Sequence, residues 1–235
     1  MGEITDGFIE ALQLLVTFDP EVMEIAMRSL FVSTTATLIA AAFAIPLGAL
    51  IYFYDFKGKR AVINLVQTLY AMPTVIVGLL VYLLVSYSGP FGSLRLLYTV
   101  NAMIIAQVIL VSPLIIGFTI TALNSLDKEM KYTVLALNAR ADQALATLVR
   151  EAKFAILSAV VLAFGRAIAE VGAVMMVGGN IRHFTRTLTT AITLNTSMGE
   201  FSTSIALGII LLGIALLVNL GVNVLQHSRG GVKDD

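Results

Sequence analysis

The chain is 235 residues long, 58% hydrophobic and only 13% charged, with a mean hydropathy of +0.91. Soluble domains carry roughly 25% charged residues, so this composition defines an integral membrane protein and excludes an ordinary soluble fold. A formal net charge of zero excludes bulk electrostatic attraction to nucleic acid, and the lack of cysteine excludes disulfides, thiolate metal sites and cysteine nucleophiles.

The N-terminus is acidic (Glu3, Asp6, Glu10) and lacks the basic start of a cleavable signal peptide. Phe8, Ala11, Leu12 and Leu15 fall at helical spacing over a stretch too short to cross a bilayer, which predicts a short helix in the membrane interface. Asp19-Pro20 reads as a helix start, with Asp19 as N-cap, Pro20 in the first helical position, and Glu21 and Glu24 favourably placed near the positive helix end.

Five segments are long and apolar enough to span: 29–54, 62–87, 99–123, 154–178 and 202–226. An odd number puts the two chain ends on opposite sides. Basic residues set the orientation. With the C-terminus in the cytoplasm, Lys57, Lys59, Arg60, Lys128, Lys131, Arg140, Arg150, Lys153, Arg229 and Lys233 lie inside, against Arg28, Arg95, Arg182 and Arg186 outside. The expected protein is therefore all-α and multi-pass in the cell membrane, with its N-terminus outside. Residues 1–28 form an interfacial segment, 29–226 the transmembrane domain and 227–235 a cytoplasmic tail.

Pro46, Pro73 and Pro113 sit inside the first three spans, either as bends in a compact bundle or as hinges. Ser29, Ser33, Thr34, Thr35 and Thr37 offer small hydroxyl side chains for close helix packing. The longest interior polar stretch, 124–153, is cytoplasmic and predicts two short helices, 128–137 and 139–149, pivoting at Asn138. A bundle of this size has no structural need for the appendage, so it points to a cytoplasmic partner.

The fourth span carries Arg166 and Glu170 four residues apart, on one helix face, with Gly172 one half-turn further on. Ionisable groups at mid-membrane cost roughly 2.5–3.5 kcal/mol on insertion scales, so these side chains must face protein or a water-filled path. Two readings are open: a pair that locks the helix against its neighbours, or a gate on a solute path. Gly178-Gly179-Asn180 ends the helix. An outer loop, 181–200, follows, rich in threonine and carrying Arg182, His183 and Arg186. Asn180, Arg182, Thr185 and Arg186 could serve oxyanions or form a solvated partner surface. His183 and His227 are too few and too far apart for a metal site. No metalloprotease, nucleophile-elbow or phosphate-loop motif occurs, so the chain is non-catalytic and any ATP hydrolysis belongs to another subunit.

The stretch Tyr132 to Glu151, followed by Gly-Arg-Ala-Ile-Ala-Glu-Val-Gly-Ala at Gly165–Ala173, resembles the permease subunit of a type I ABC importer. The Arg-Ala-x-x-Glu-x-Gly-Ala block at Arg166–Ala173 is similar to the molybdate, sulfate and tungstate permeases. The longer run Gly165–Asn180 followed by Thr185–Ile192 is most similar to the tungstate permease. An amino-acid permease of the same superfamily fits less of this block. The resemblance departs in the cytoplasmic loop, where such permeases usually carry Glu-Ala-Ala, then glycine, then Leu-Pro. Here those places hold Tyr132-Thr133-Val134, Asn138 and Arg150-Glu151.

The resemblance implies two copies of the chain around a pore, two ATP-binding subunits holding ATP and Mg below it, and an extracytoplasmic oxyanion-binding protein above it. This chain itself would bind no cofactor. The helix beginning near Ala139 would be the coupling helix, with Asn138, Ala139, Arg140, Ala141, Asp142 and Gln143 facing the ATPase.

Overall fold

The computed structural model describes residues 2–126 and 140–227. The first helix expected in the cytoplasmic loop (128–137), the pivot Asn138, Ala139 and the tail from 228 onward lie outside the described residues. Among the described residues the architecture is entirely helical, as expected.

Helix α1 (Gly2–Val16) is longer than the interfacial stub expected, yet at about 22 Å it still falls short of a bilayer core. It packs along α10 (Phe201–His227), burying Ala11 completely. Helix α2 (Pro20–Phe53) starts as predicted. Asp19 Oδ1 accepts hydrogen bonds from the backbone N–H groups of Glu21 and Val22, both at 3.0 Å. At about 51 Å, α2 outruns the hydrocarbon layer, so its first turns project beyond the 29–54 span.

The three prolines act differently. Pro46 lies within continuous α2 and Pro113 within continuous α5 (Val100–Asn124). Pro73 instead stands at a break. The 62–87 segment is divided into α3 (Lys59–Tyr70) and α4 (Thr74–Val85), turned by 98°. Pro73 has no N–H and biases Met72 away from helical geometry, so the chain turns there and restarts. The 154–178 segment is likewise divided, into α7 (Lys153–Ile168) and α8 (Gly172–Gly178), bent by 58° without any proline. The five expected spans thus appear as three unbroken helices and two bent pairs.

Helices α2 and α5 form the central contact. Ala36, Ala40 and Ala44 follow one another at four-residue spacing on α2 and are fully buried, which lets the helix backbones approach. Val32, Val81, Met103 and Val177 fill the core where α2, α4, α5 and α8 meet. Ile51, Val66, Ile115 and Ala167 continue it toward α3 and α7. Leucines 79, 80, 83 and 84 of α4 and 212, 216 and 217 of α10 point outward, the apolar exterior that acyl chains require.

Two further clusters fix the ends. Val22, Ile25, Leu188, Ala191 and Leu207 join the start of α2 to α9 (Leu188–Met198) and α10. Leu148 of α6 (Ala141–Glu151) docks with Ala49, Leu123 and Ile156 at the opposite end. Helix α9 corrects the expected outer loop, because much of 181–200 is helical. Its threonines serve the helix start rather than solvent: Thr187 N–H donates to Thr190 Oγ1 at 3.0 Å, and Leu188 N–H donates to Ser29 Oγ at 2.7 Å.

Helices α4 and α8 cross at Gly78. A Cβ there would stand 2.7 Å from Ala173 Cα, a backbone atom that cannot swing aside. Gly78→Ala should destabilise the purified protein by about 1–3 kcal/mol through overpacking. Gly213→Ala, whose Cβ meets nothing within 4 Å, should leave the midpoint unchanged. Thermal unfolding in detergent distinguishes the two.

Candidate functional site

The bend between α7 and α8 interrupts the hydrogen-bond ladder inside an apolar layer, where every freed backbone group needs a protein partner. Glu170 supplies most of the repair. Its Oε1 accepts the Ala173 N–H at 3.0 Å, capping α8, while its Oε2 lies 3.5 Å from Arg166 Nη1 on α7. Its own carbonyl accepts Thr189 Oγ1 of α9 at 2.6 Å. One turn earlier, the Ala167 carbonyl accepts Gln107 Nε2 of α5 at 3.0 Å. The break is thus tied to two other helices, α5 and α9. Gly172 lies against this corner, its absent Cβ 3.0 Å from Val75 Cγ2 and 3.1 Å from Thr74 Oγ1.

The ion pair is asymmetric. The Glu170 side chain is 2% exposed, whereas that of Arg166 is 40% exposed. Arg166 lines a groove of about 740 Å³ between α3, α5, α7 and α10. The groove wall is otherwise mostly apolar, including Tyr70, Leu114, Phe118 and Ala215. Gly165 leaves open space beside Arg166. The carboxylate is spent inside the protein and the guanidinium is presented to the groove, so the site offers positive charge and hydrogen-bond donors.

The outer candidates serve mainly to close the structure. Arg182 pairs with Glu21 through two contacts, Nε–Oε1 at 2.9 Å and Nη2–Oε2 at 2.6 Å. Arg186 Nη1 lies 3.7 Å from Glu21 Oε1. Arg28 pairs with Glu24 and donates to the carbonyls of Arg186 at 3.3 Å and His183 at 3.1 Å. His183 Nδ1 lies 2.8 Å from Glu24 Oε2. The hydrogen bond and charge of Glu21 raise the Arg182 pKa further above its ordinary value, so that side of the clamp stays cationic. Thr185 Oγ1 donates to the Gly178 carbonyl at 2.5 Å and accepts Ile181 N–H at 2.9 Å, and Asn180 Nδ2 donates to the Thr190 carbonyl at 3.3 Å. The segment is pinned to the start of α2.

At the far end, α6 begins after Arg140, two residues later than the 139–149 helix expected. The Arg140 N–H donates to Gln143 Oε1 at 3.1 Å, and Arg140 Nε sits 3.2 Å from Asp142 Oδ1. Residues Arg140, Ala141, Asp142 and Gln143 are all exposed, while Ala144 and Leu148 anchor the helix below them. Gln107, Thr189 and Ser29 were not expected from the sequence as supports of the site. Gln107 was the most legible, being an amide in the middle of an apolar span. Among the described residues no cluster of side chains is suited to hold a metal ion.

The site thus sits in a bundle of membrane-length helices and two bent pairs, with a partly exposed guanidinium on a groove and an exposed helix start at Arg140. Residues 44–229 match the family described as "Binding-protein-dependent transport system inner membrane component", and the chain belongs to that family of ABC importer permeases. It is 45% identical over 97% of its length to the whole of the "Tungstate uptake system permease protein TupB" of Peptoclostridium acidaminophilum. It is 38% identical to the protein of the same description from Campylobacter jejuni, over 96% of this chain and 94% of that one. The inward-facing MetNI methionine ABC transporter shares the fold, with a TM-score of 0.71 at 15% identity over 88% of this chain and 95% of that chain. The protein is thus a non-catalytic, multi-pass inner-membrane subunit of an importer that works with an ATPase and a binding protein.

Glu170→Ala removes the cap of α8 and the partner of Arg166 together. It should cost about 1–3 kcal/mol, discounted from a fully buried pair because Arg166 is partly solvated. Glu170→Gln keeps a neutral acceptor for Ala173 N–H and should lose about half as much. Chemical denaturation of the two variants beside the parent protein measures the difference.

Proposed function

We propose that this chain is the tungstate-conducting permease of its importer, with Arg166 as a weak anion contact on the path and Glu170 as the lock of the bend. The observation that carries the cargo is identity of 45% and 38%, over nearly the whole chain, to two proteins described as tungstate uptake permeases. The asymmetry of the Arg166–Glu170 pair supports the path. A tetrahedral dianion needs donors and positive charge, and the exposed member of the pair is the guanidinium. A single mobile cation on an open groove binds weakly, which suits conduction because a tight site slows release.

In this reading two copies enclose the pore, and the second copy shelters the partly exposed Arg166 from lipid. The N-terminus lies outside and the C-terminus in the cytoplasm. Residues 1–28 precede the transmembrane domain proper, 29–226, whose cytoplasmic loop 124–153 meets the motor, and 227–235 form a tail. ATP and Mg stay on two partner ATPase subunits. The segment Asn138 to Gln143 seats on those subunits, its exposed part opening α6. ATP-driven closure then rocks the bundle between outward- and inward-facing states through the α7–α8 bend. Asn180, Arg182, Thr185 and Arg186 hold the outer segment in shape for the loaded binding protein rather than contacting the anion.

Reconstituted with its ATPase and binding protein, the transporter should hydrolyse ATP faster when the binding protein carries tungstate than when it carries sulfate. Equal stimulation by tungstate, molybdate and sulfate would overturn the tungstate assignment. Arg140→Glu reverses a charge on the exposed start of α6 while leaving Leu148 to anchor it. That variant should uncouple ATP hydrolysis from uptake or release the ATPase during affinity purification. Normal uptake by an intact complex would count against the coupling role.

A further inference from the structure

Between Ile205 and Val222 of α10, Asn219 is the only side chain able to make a hydrogen bond. It is exposed, and its amide has no hydrogen-bond partner among the described residues. An unpaired carboxamide at membrane depth is costly in lipid, and polar groups held there face a cavity or another protein. Asn219 faces a particular cavity. Together with Ala215 and Val218, at helical spacing, it forms the α10 wall of the groove that Arg166 lines from α7. The groove therefore carries a guanidinium on one wall and a carboxamide on another, separated by apolar side chains and the small residues Gly165, Ala169 and Ala215.

From this juxtaposition we infer that Asn219 is a second oxyanion contact on the translocation path, donating through its carboxamide to the anion that Arg166 attracts. The inference rests on the reading of Arg166 as a path residue. The chemistry fits a tetrahedral dianion because the ligand presents only acceptors. Asn219 adds donor capacity without adding charge, and the nearby carboxylate is turned away beneath α8. Two weak contacts on different helices also suit a moving path. Sliding α10 relative to α7 separates the donors and releases the anion without either contact having to be strong.

The test uses the complete transporter in proteoliposomes, with Asn219→Leu and Asn219→Asp variants beside the parent protein. Uptake of tungstate delivered by its binding protein is measured, together with basal ATP hydrolysis and the number of permease copies per complex. Asn219→Leu should lower the uptake rate about tenfold, the equivalent of one lost hydrogen bond to an ion, while basal hydrolysis stays within about twofold of the parent. Asn219→Asp should be slower still, because a carboxylate repels a dianion.

Parental uptake by Asn219→Leu, or an Asp variant no slower than the Leu variant, overturns the inference. So does loss of the assembled complex in Asn219→Leu, which would make Asn219 a contact between helices or copies. If the parent carries molybdate or sulfate but no tungstate, the cargo reading fails alone, and the variants are then judged with the anion the parent carries. A parent complex that moves none of the three overturns both.

Discussion

A carboxylate within an apolar layer has to be matched group for group, and the rest of this structure is arranged around how Glu170 is matched. One oxygen closes the first turn of α8, the other faces Arg166, and the Glu170 carbonyl holds Thr189. The bend itself needs these bonds, since breaking a helix in lipid exposes amides and carbonyls that water cannot reach. Charge, cap and bend are therefore one feature. The bend lets α8 tuck against α4 at Gly78, and that crossing joins the divided spans into one bundle.

The same arrangement gives the groove its polarity. Had both members of the pair been equally exposed, the groove would present a neutral dipole. Burial of the carboxylate leaves the guanidinium as the charge that faces the groove. In the segment after α8 the charges follow another logic. Arg28, Arg182, Arg186 and His183 are engaged with Glu21 and Glu24, and the segment after α8 is fastened to the start of α2. Cations near a membrane surface can attract anions or hold two elements together, and here the short contacts to glutamate favour the second role.

The pattern of apolar runs was enough to read five spans, and a capping signal as local as Asp19-Pro20 held to the residue. Such features depend on a few neighbours along the chain. The turn at Pro73 was legible as a disturbance but not as a near right angle, because proline permits either a shallow kink or a break and packing selects between them. The bend at Glu170 carried no proline, and the charges there read as a lock or a gate within one continuous helix. The threonine-rich outer segment was read as loop because hydroxyls suggest solvent. In the structure they cap α9 and bond to backbone groups on other helices.

By itself, the amino-acid sequence determined the membrane class, the all-helical build, the start of α2 and the pairing of Arg166 with Glu170. Composition and spacing along one helix are sufficient for each. Only the tertiary structure decided which member of the pair is buried, that Gln107 and Thr189 brace the bend, and that Asn219 shares a groove with Arg166. These facts depend on the approach of residues from distant parts of the chain. Such approaches are set by the small-residue crossings of α2 with α5 and of α4 with α8, where close packing rather than local preference fixes which helix faces meet.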